Sequence, residues 1–209
     1  DLKVKVNQVD LSQGTITIDQ DTNFVFKPDS ENSGAGEIQS IYPKNITVTC
    51  NGRKLKYAQT EAGSDYTLSG LSGANAGEYT LTVKGRDNYT GTLTKTWTIA
   101  PMTLRSLGLP PEISKVYDGT TAAPDDLTES KGYFTYGDGN SLRLANNTDF
   151  TFSAEDDSSA AGTDNVLFAH VKLLNENYTF ENGAKEKDFT YNRLKSYSVT
   201  PAPAPETDP

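Results

Sequence analysis

A serine- or cysteine-type nucleophile needs a base within hydrogen-bond reach, and this chain offers one histidine, His170, and one cysteine, Cys50. A cysteine-based zinc site needs several thiolates or imidazoles, so these two residues exclude it. A lone cysteine also excludes any disulfide within the chain. His170 stands in the apolar run VLFAHVKLL, where a structural or exposed side chain is a simpler expectation than a ligand. Cys50 closes the strand-like NITVTC and reads as a small packed residue.

Oxygen ligands of the kind calcium takes are present at Asp138, Asn140, Glu155, Asp156, Asp157 and Asp164, but none has the spacing of an EF-hand. A solvated acidic loop is the plainer account of them. The same acids could in principle supply a glycosidase pair, yet their dispersal gives no reason to choose two. Tyr117-Asp118-Gly119-Thr120-Thr121 puts an acid beside an aromatic ring and hydroxyls. It reads as a turn in which Asp118 caps backbone N–H groups, Gly119 takes a positive φ and Tyr117 packs inward. Asn45, Asn88, Asn146 and Asn177 each open an N-x-T acceptor pattern, which carries weight only in a eukaryotic protein. The expectation is therefore no catalytic residue, no metal ligand and no cofactor.

The surrounding composition is that of a β protein. Hydrophobic residues make up 34% of the 209, with 11 Tyr and 8 Phe and a mean hydropathy of -0.59. Aromatic and Thr-rich segments suit half-buried strands, and runs of helix formers are missing. The formal net charge of -9, without any Lys/Arg cluster, argues against nucleic acid and anionic membranes as partners. No apolar run reaches membrane-spanning length. The abrupt start at Asp1 and the proline-rich end suggest an excised piece of a longer protein. The length itself suits two domains.

Short strands separated by turn signals follow one another along the chain. Leu2 to Val9, Thr15 to Asp19 and Asn23 to Lys27 are the first candidates. The polar loop PDSENSGAG follows. Asn45 to Tyr57 forms the clearest hairpin, because Asn51-Gly52 can take the positive φ angles of a type I′ turn. Ile46, Val48 and Cys50 would then share one face. Tyr66 and Leu68 would also share a face. In EYTLTVK the residues Tyr79, Leu81 and Val83 alternate with Glu78, Thr80, Thr82 and Lys84. Leu93, Trp97 and Ile99 repeat the pattern, with Lys95 as the exception, and Trp97 is expected to anchor a core.

Beyond Pro101, Thr103 to Leu107, Lys131 to Tyr136 and Thr148 to Ser153 read as strands, with a break at Leu109-Pro110-Pro111 and a turn at Gly137 to Asn140. The loop AEDDSSAAGTDN follows. Val166 to Leu174 is apolar enough to suggest a central strand covered on both faces. In it Leu167, Ala169, Val171 and Leu173 point one way, and His170 and Phe168 the other. Tyr178 to Phe180, Asp188 to Tyr191 and Ser196 to Thr200 complete the set.

An internal repeat ties the two halves together. Asp65-Tyr66-Thr67-Leu68 matches Asp149-Phe150-Thr151-Phe152, Ala76-Gly77 matches Ala161-Gly162, and Asn88-Tyr89-Thr90 matches Asn177-Tyr178-Thr179. Thr96-Trp97-Thr98-Ile99 with Pro101 matches Ser196-Tyr197-Ser198-Val199 with Pro201, which sets a period of about 100 residues, suited to one Ig-like sandwich per repeat. The expected fold is all-β, two tandem Ig-like antiparallel β-sandwich domains at 1–101 and 102–201, followed by a Pro-rich linker at 202–209. The short junction around Pro101 favours a semi-rigid rod, and the terminal PAPAPETDP would extend as polyproline II at roughly 3.1 Å per residue.

With CNGRKL, GSDYTL, ANAGEY, RDNYTG and TWTIAP in order, the first unit resembles the Ig-like MBG-type repeats of bacterial surface proteins. The segment FVFKPDSENSGAGEIQSIYP departs from their usual short opening loop. The second unit is similar to YDG-type repeats, whose mark here is Lys115-Val116-Tyr117-Asp118-Gly119-Thr120-Thr121, although ENGAKEKDFTYNRLK adds polar residues before the last strand. The resemblance implies a non-enzymatic stalk, spacer or adhesin module, extracellular at a bacterial cell surface, with neighbouring domains of the same chain as its fixed partners. Two alternatives stay open. One is a module binding a host or microbial glycan or an extracellular protein through the two non-repeat loops. The other is a set of accessory domains of a secreted glycan-degrading enzyme.

Overall fold

The computed structural model describes residues 7–30, 35–58, 63–108, 113–121, 132–156, 166–191, 197–201 and 203. The chain divides into two compact units, Asp1–Lys27 with Gly36–Ala100, and Pro28–Ala35 with Pro101–Pro209. Of the expected features, Leu2 to Val6 of the first strand, the Leu109-Pro110-Pro111 break, the repeat residues Ala161-Gly162, the acids Asp157 and Asp164, and nearly all of 202–209 lie outside the described residues.

The first unit contains β1 (Val9–Asp10), β2 (Thr15–Ile18), β3 (Asn23–Val25), β4 (Gln39–Ser40), β5 (Ile46–Cys50), β6 (Arg53–Lys54), β7 (Tyr66–Ser69), β8 (Ser72–Gly73), β9 (Gly77–Gly85), β10 (Tyr89–Thr90) and β11 (Thr92–Ala100). A four-stranded sheet in the order β3-β11-β9-β7 and a three-stranded sheet β2-β5-β6 are joined by the small pairs β1–β10 and β4–β8. The β5–β6 hairpin turns at Asn51 and Gly52, with φ of 49° and 75°, the left-handed pair a type I′ turn requires.

The core of this unit follows the two-residue period. Ile46, Val48 and Cys50 of β5, Tyr66 of β7, Leu81 and Val83 of β9, and Trp97 and Ile99 of β11 are all buried, while the intervening threonines are not. Trp97 is only 2% exposed. Its ring stacks on Tyr79 at 4.6 Å between centroids and meets the edge of Phe24 at 5.5 Å, and its Nε1 donates to the Gly70 carbonyl at 3.0 Å. That carbonyl is available because Gly70 has φ +71°, and any Cβ there would fall 1.9 Å from the Thr80 oxygen. Lys95, the polar residue in the apolar series, stays exposed and sends its Nζ to the Ile16 carbonyl at 3.2 Å.

The second unit contains β12 (Met102–Gly108), β13 (Ile113–Val116), β14 (Gly132–Tyr136), β15 (Asn140–Leu144), β16 (Phe150–Asp156), β17 (Leu167–Leu173), β18 (Tyr178–Thr179), β19 (Glu186–Tyr191) and β20 (Tyr197–Thr200). Its sheets are β15-β14-β12-β18, β16-β17-β19 and the pair β13–β20. Leu104, Leu107, Phe134, Leu142, Leu144, Phe150, Leu167, Val171, Tyr178 and Phe180 form the buried core. Two bonds lace β19 to β12: the Tyr191 hydroxyl donates to Leu107 O at 2.6 Å and Lys187 Nζ to Arg105 O at 3.0 Å.

Both units are thus all-β sandwiches, and they share one pairing circuit. In each, an opening strand pairs antiparallel with the first strand of a hairpin: β2 with β5 and β6, β12 with β14 and β15. In each, a strand starting at the Asp-aromatic signature pairs with the long strand after it, β7 with β9 and β16 with β17. The long strand's other neighbour is β11 in one unit and β19 in the other.

Three readings are corrected. The residues ENGAKEKDFTYNRLK are not merely an insertion, because they contain β19, which lies beside β17 as β11 lies beside β9. The single strand β11 serves two partners, β9 and β3, whereas β19 and β20 divide those tasks. Next, β17 is central in hydrogen bonding but covered on one face only: Leu167, Ala169, Val171 and Leu173 are buried, while Phe168, His170 and Lys172 are exposed. A run of apolar residues reports burial on two faces only if both alternating sets are apolar, and Lys172 and His170 break one set. Finally, four pairings are parallel: β1–β10, β3–β11, β12–β18 and β13–β20.

Candidate functional site

The chemistry-bearing residues fall into two groups, and the fold treats them differently. The first is the turn after β13. Lys115 is buried, with its side chain 6% exposed, and a buried ammonium demands hydrogen-bond acceptors. It finds them in the Thr120 carbonyl at 2.7 Å, Thr120 Oγ1 at 3.2 Å and Asp118 Oδ1 at 3.1 Å. Asp118 Oδ1 also accepts from the Thr120 amide and hydroxyl, each at 2.8 Å. These Thr120 bonds, assisted by Lys115, lower its carboxyl to about 2. Gly119 makes the turn with φ +80°. The Asp118 cap is as expected, Tyr117 is half-buried, and the buried lysine is what the sequence reading missed. Everything in this motif fastens backbone, which leaves no group facing a substrate.

The repeated Asp residues behave the same way. Asp65 Oδ2 accepts from the Lys56 amide at 2.7 Å. Asp149 Oδ2 accepts from the Ala145 amide at 2.9 Å, and its Oδ1 from Asn175 Nδ2 at 2.7 Å. Tyr178 is fully buried, and burial with the nearby Asp149 pushes its hydroxyl far above the usual tyrosine range. Burial likewise pushes Tyr191 up to about 12. Neither phenol can act as a base at neutral pH.

The second group lies on the open face of β16-β17-β19. The register places Ser153 opposite His170 and His170 opposite Asp188, with Glu155, Phe168 and Thr190 in the neighbouring row. These six line a concavity of about 410 Å³. His170 Nδ1 and Asp188 Oδ1 are 2.6 Å apart, with side chains 48% and 85% exposed. Beside them Lys172 Nζ pairs with Glu186 Oε1 at 2.9 Å, and this contact is the main cause of the lowered Glu186 carboxyl. Phe168 is 49% exposed.

A serine, a histidine and an aspartate in one row invite comparison with a nucleophilic triad, and the geometry does not support it. The carboxylate is in water, which weakens its hold on the imidazole. Three strands run through the site, so the backbone N–H groups nearby are engaged in the ladder instead of converging on an oxyanion. What the face offers is a half-exposed aromatic ring with hydroxyl and carboxylate groups around it.

The remaining candidates do not converge. Asp138 and Asn140 sit exposed at the β14–β15 hairpin, and among the described residues no group of three or more His, Cys, Asp or Glu is placed to hold a metal ion. Cys50 is buried. Of the N-x-T asparagines, Asn177 is buried and Asn45 Nδ2 donates to Gln20 Oε1 at 2.9 Å. Among the described residues no helix is long and apolar enough to cross a membrane.

An all-β, Ig-like sandwich whose polar signatures are absorbed by turns defines a structural class of domain. Within it, residues 107–192 match the family model of the MBG domain, a non-catalytic repeat domain typical of bacterial surface proteins. The match falls on the second unit, whereas the MBG-type resemblance was read on the first. Comparisons with curated proteins and with solved structures gave no match.

Proposed function

We propose that the chain is a non-enzymatic spacer or adhesin module of a larger bacterial cell-surface protein, made of two Ig-like repeats and working outside the cell. The observation that carries this reading is where the polar signatures go. Asp65, Lys115, Asp118 and Asp149 all close on backbone groups of their own unit, which is what a domain selected for shape retains. The MBG match over residues 107–192 supports the same class. A panel of glycans and matrix proteins presented to the whole chain is the test. The expected outcome is no saturable binding, and a saturable dissociation constant in the micromolar range or tighter would overturn the spacer role.

A second reading rests on the concavity on β16-β17-β19. Half-exposed Phe168 beside Ser153, Glu155 and Thr190 has the composition of a sugar or peptide platform. In that case binding would be lost in Phe168→Ala while the fold persisted.

A further inference from the structure

A domain's resistance to being pulled apart depends on how its terminal strands are paired as well as on its stability. Where a strand near the N-terminal end runs parallel to the C-terminal strand, tension on the two ends slides one past the other. All the hydrogen bonds between them are then loaded together. An antiparallel terminal hairpin instead opens one bond at a time. Most strand pairs in this chain are antiparallel, so the positions of the parallel ones are informative.

In the first unit β3 lies parallel to the end of β11, with Thr98, Ile99 and Ala100 opposite Asn23, Phe24 and Val25. The patch is extended by Thr98 N–H to Thr22 O at 3.1 Å and Phe26 N–H to Ala100 O at 2.8 Å. Ile99 and Phe26 are buried beneath it. In the second unit β13 lies parallel to β20, with Ile113 to Val116 opposite Tyr197 to Thr200. Tyr117 N–H to Thr200 O at 2.8 Å extends this patch, and Thr200 Oγ1 donates to Lys115 O at 3.4 Å. Among the described residues β13 is the only strand partner of β20, so tension on the C-terminal end of this unit passes through that patch.

A second parallel contact recurs at the start of each unit. Val9 N–H donates to Asn88 O and Met102 N–H to Asn177 O, both at 2.9 Å, and the following tyrosines, Tyr89 and Tyr178, are buried. The Asn-Tyr-Thr signature is therefore a parallel clasp in both units.

We propose that β3–β11 and β13–β20 are shear clamps that let each unit bear end-to-end tension. This function goes beyond spacing and needs no ligand. The Lys115–Asp118–Thr120 turn pins the end of β13, so the clamp is anchored immediately beyond its last strand residue.

The test is single-molecule force spectroscopy on the whole chain held at its two ends, in which each unit gives one opening event. Tyr117→Pro removes one N–H of the second clamp, and Thr98→Pro one of the first. Loss of a single bond is expected to raise the opening rate at fixed load on the order of fivefold. Each variant should move one event to lower force and leave the other. Leu142→Ala, a core change away from the clamp, should lower chemical stability more than Tyr117→Pro yet reduce rupture force less. Folding of each variant is checked first by circular dichroism, and if Tyr117→Pro does not fold, Thr98→Pro decides the matter with Val83→Ala as its core control. The clamp is overturned if a folded proline variant ruptures at the wild-type force, or if the core variant weakens the event more than its proline counterpart. Either result would leave the spacer reading standing, since that is decided by the binding panel.

Discussion

Replacing Lys115 with Met keeps the aliphatic stem in place and removes the ammonium, so the substitution isolates the polar half of a buried side chain. Three contacts are lost: the Thr120 carbonyl at 2.7 Å, Thr120 Oγ1 at 3.2 Å and Asp118 Oδ1 at 3.1 Å. A hydrogen bond to a charged group contributes about 1.5–3 kcal/mol, but the three are not additive. Asp118 and Thr120 are exposed enough for water to take over as partner. The apolar sulfur and methyl of Met also fit a buried site better than an ammonium does. The net cost is therefore near one such bond, about 2 kcal/mol, well short of the 3–5 kcal/mol of a fully buried broken pair. For a domain of this size that is a fall of roughly 8–16 °C in the second unit's transition. The chain holds one tryptophan, Trp97, in the first unit, so its fluorescence follows that unit alone, while far-ultraviolet circular dichroism follows both. The expected record is a lowered second transition with the Trp97 transition unmoved. If Lys115→Met melts within about 1 °C of the wild type, the ammonium is idle and the account of the Lys-x-Tyr-Asp-Gly-Thr-Thr motif fails.

Acid should loosen the same turn. Asp118 has a folded value of about 2, below its ordinary 3.8, so its contribution is complete above about pH 4 and disappears as the pH falls through about 2. Asp118→Asn should flatten that part of the second unit's pH–stability curve, measured by denaturant titration at each pH. Trp97→Ala empties the largest buried side chain of the first unit and loses the Gly70 hydrogen bond. A loss of about 3–5 kcal/mol is expected, read as an early first-unit transition by circular dichroism. Cys50 is 3% exposed, so a thiol reagent should react with the native chain only as fast as the first unit opens, and immediately in denaturant.

Much of the fold was legible because period and turn chemistry agree in this chain. Glu78 to Lys84 alternates without exception, and Asn51-Gly52 can make only a few kinds of turn. Strand β15 escaped notice because in NSLRL two leucines carry the pattern between Ser141 and Arg143. The structure shows Leu142 and Leu144 buried and the Arg143 guanidinium over the Tyr133 ring at 5.7 Å. Strand β19 was hidden by composition, since Glu186, Asp188 and Thr190 form its exposed face and half-buried Lys187, Phe189 and Tyr191 the other. Parallel pairing left no local mark at all. Partners separated by most of a unit in sequence, such as Phe24 and Ile99, are joined by topology, and no residue type announces that. The candidate face was half visible: one-sided alternation placed His170 with Phe168, but only the register brings Ser153 and Asp188 to either side of His170.

The repeat signatures gain a common explanation from these contacts. Asp65 and Asp149 each hold a backbone amide where a core strand begins. Asn88 and Asn177 each offer a carbonyl to the first strand of their unit. The closing segments ending at Ala100 and Thr200 each lie parallel to an early strand. Residues shared by two units of one chain are therefore the ones that tie its early strands to its late ones, while β19 and the acidic loop, which differ between units, lie elsewhere. A ligand site common to both units would repeat its side chains on an exposed face. Here the repeated side chains include buried Tyr66, Phe150, Tyr89 and Tyr178, and the exposed row of Ser153, His170 and Asp188 belongs to one unit alone. Repetition in this chain preserves the closure of each sandwich, and any recognition has to come from what the second unit does not share with the first.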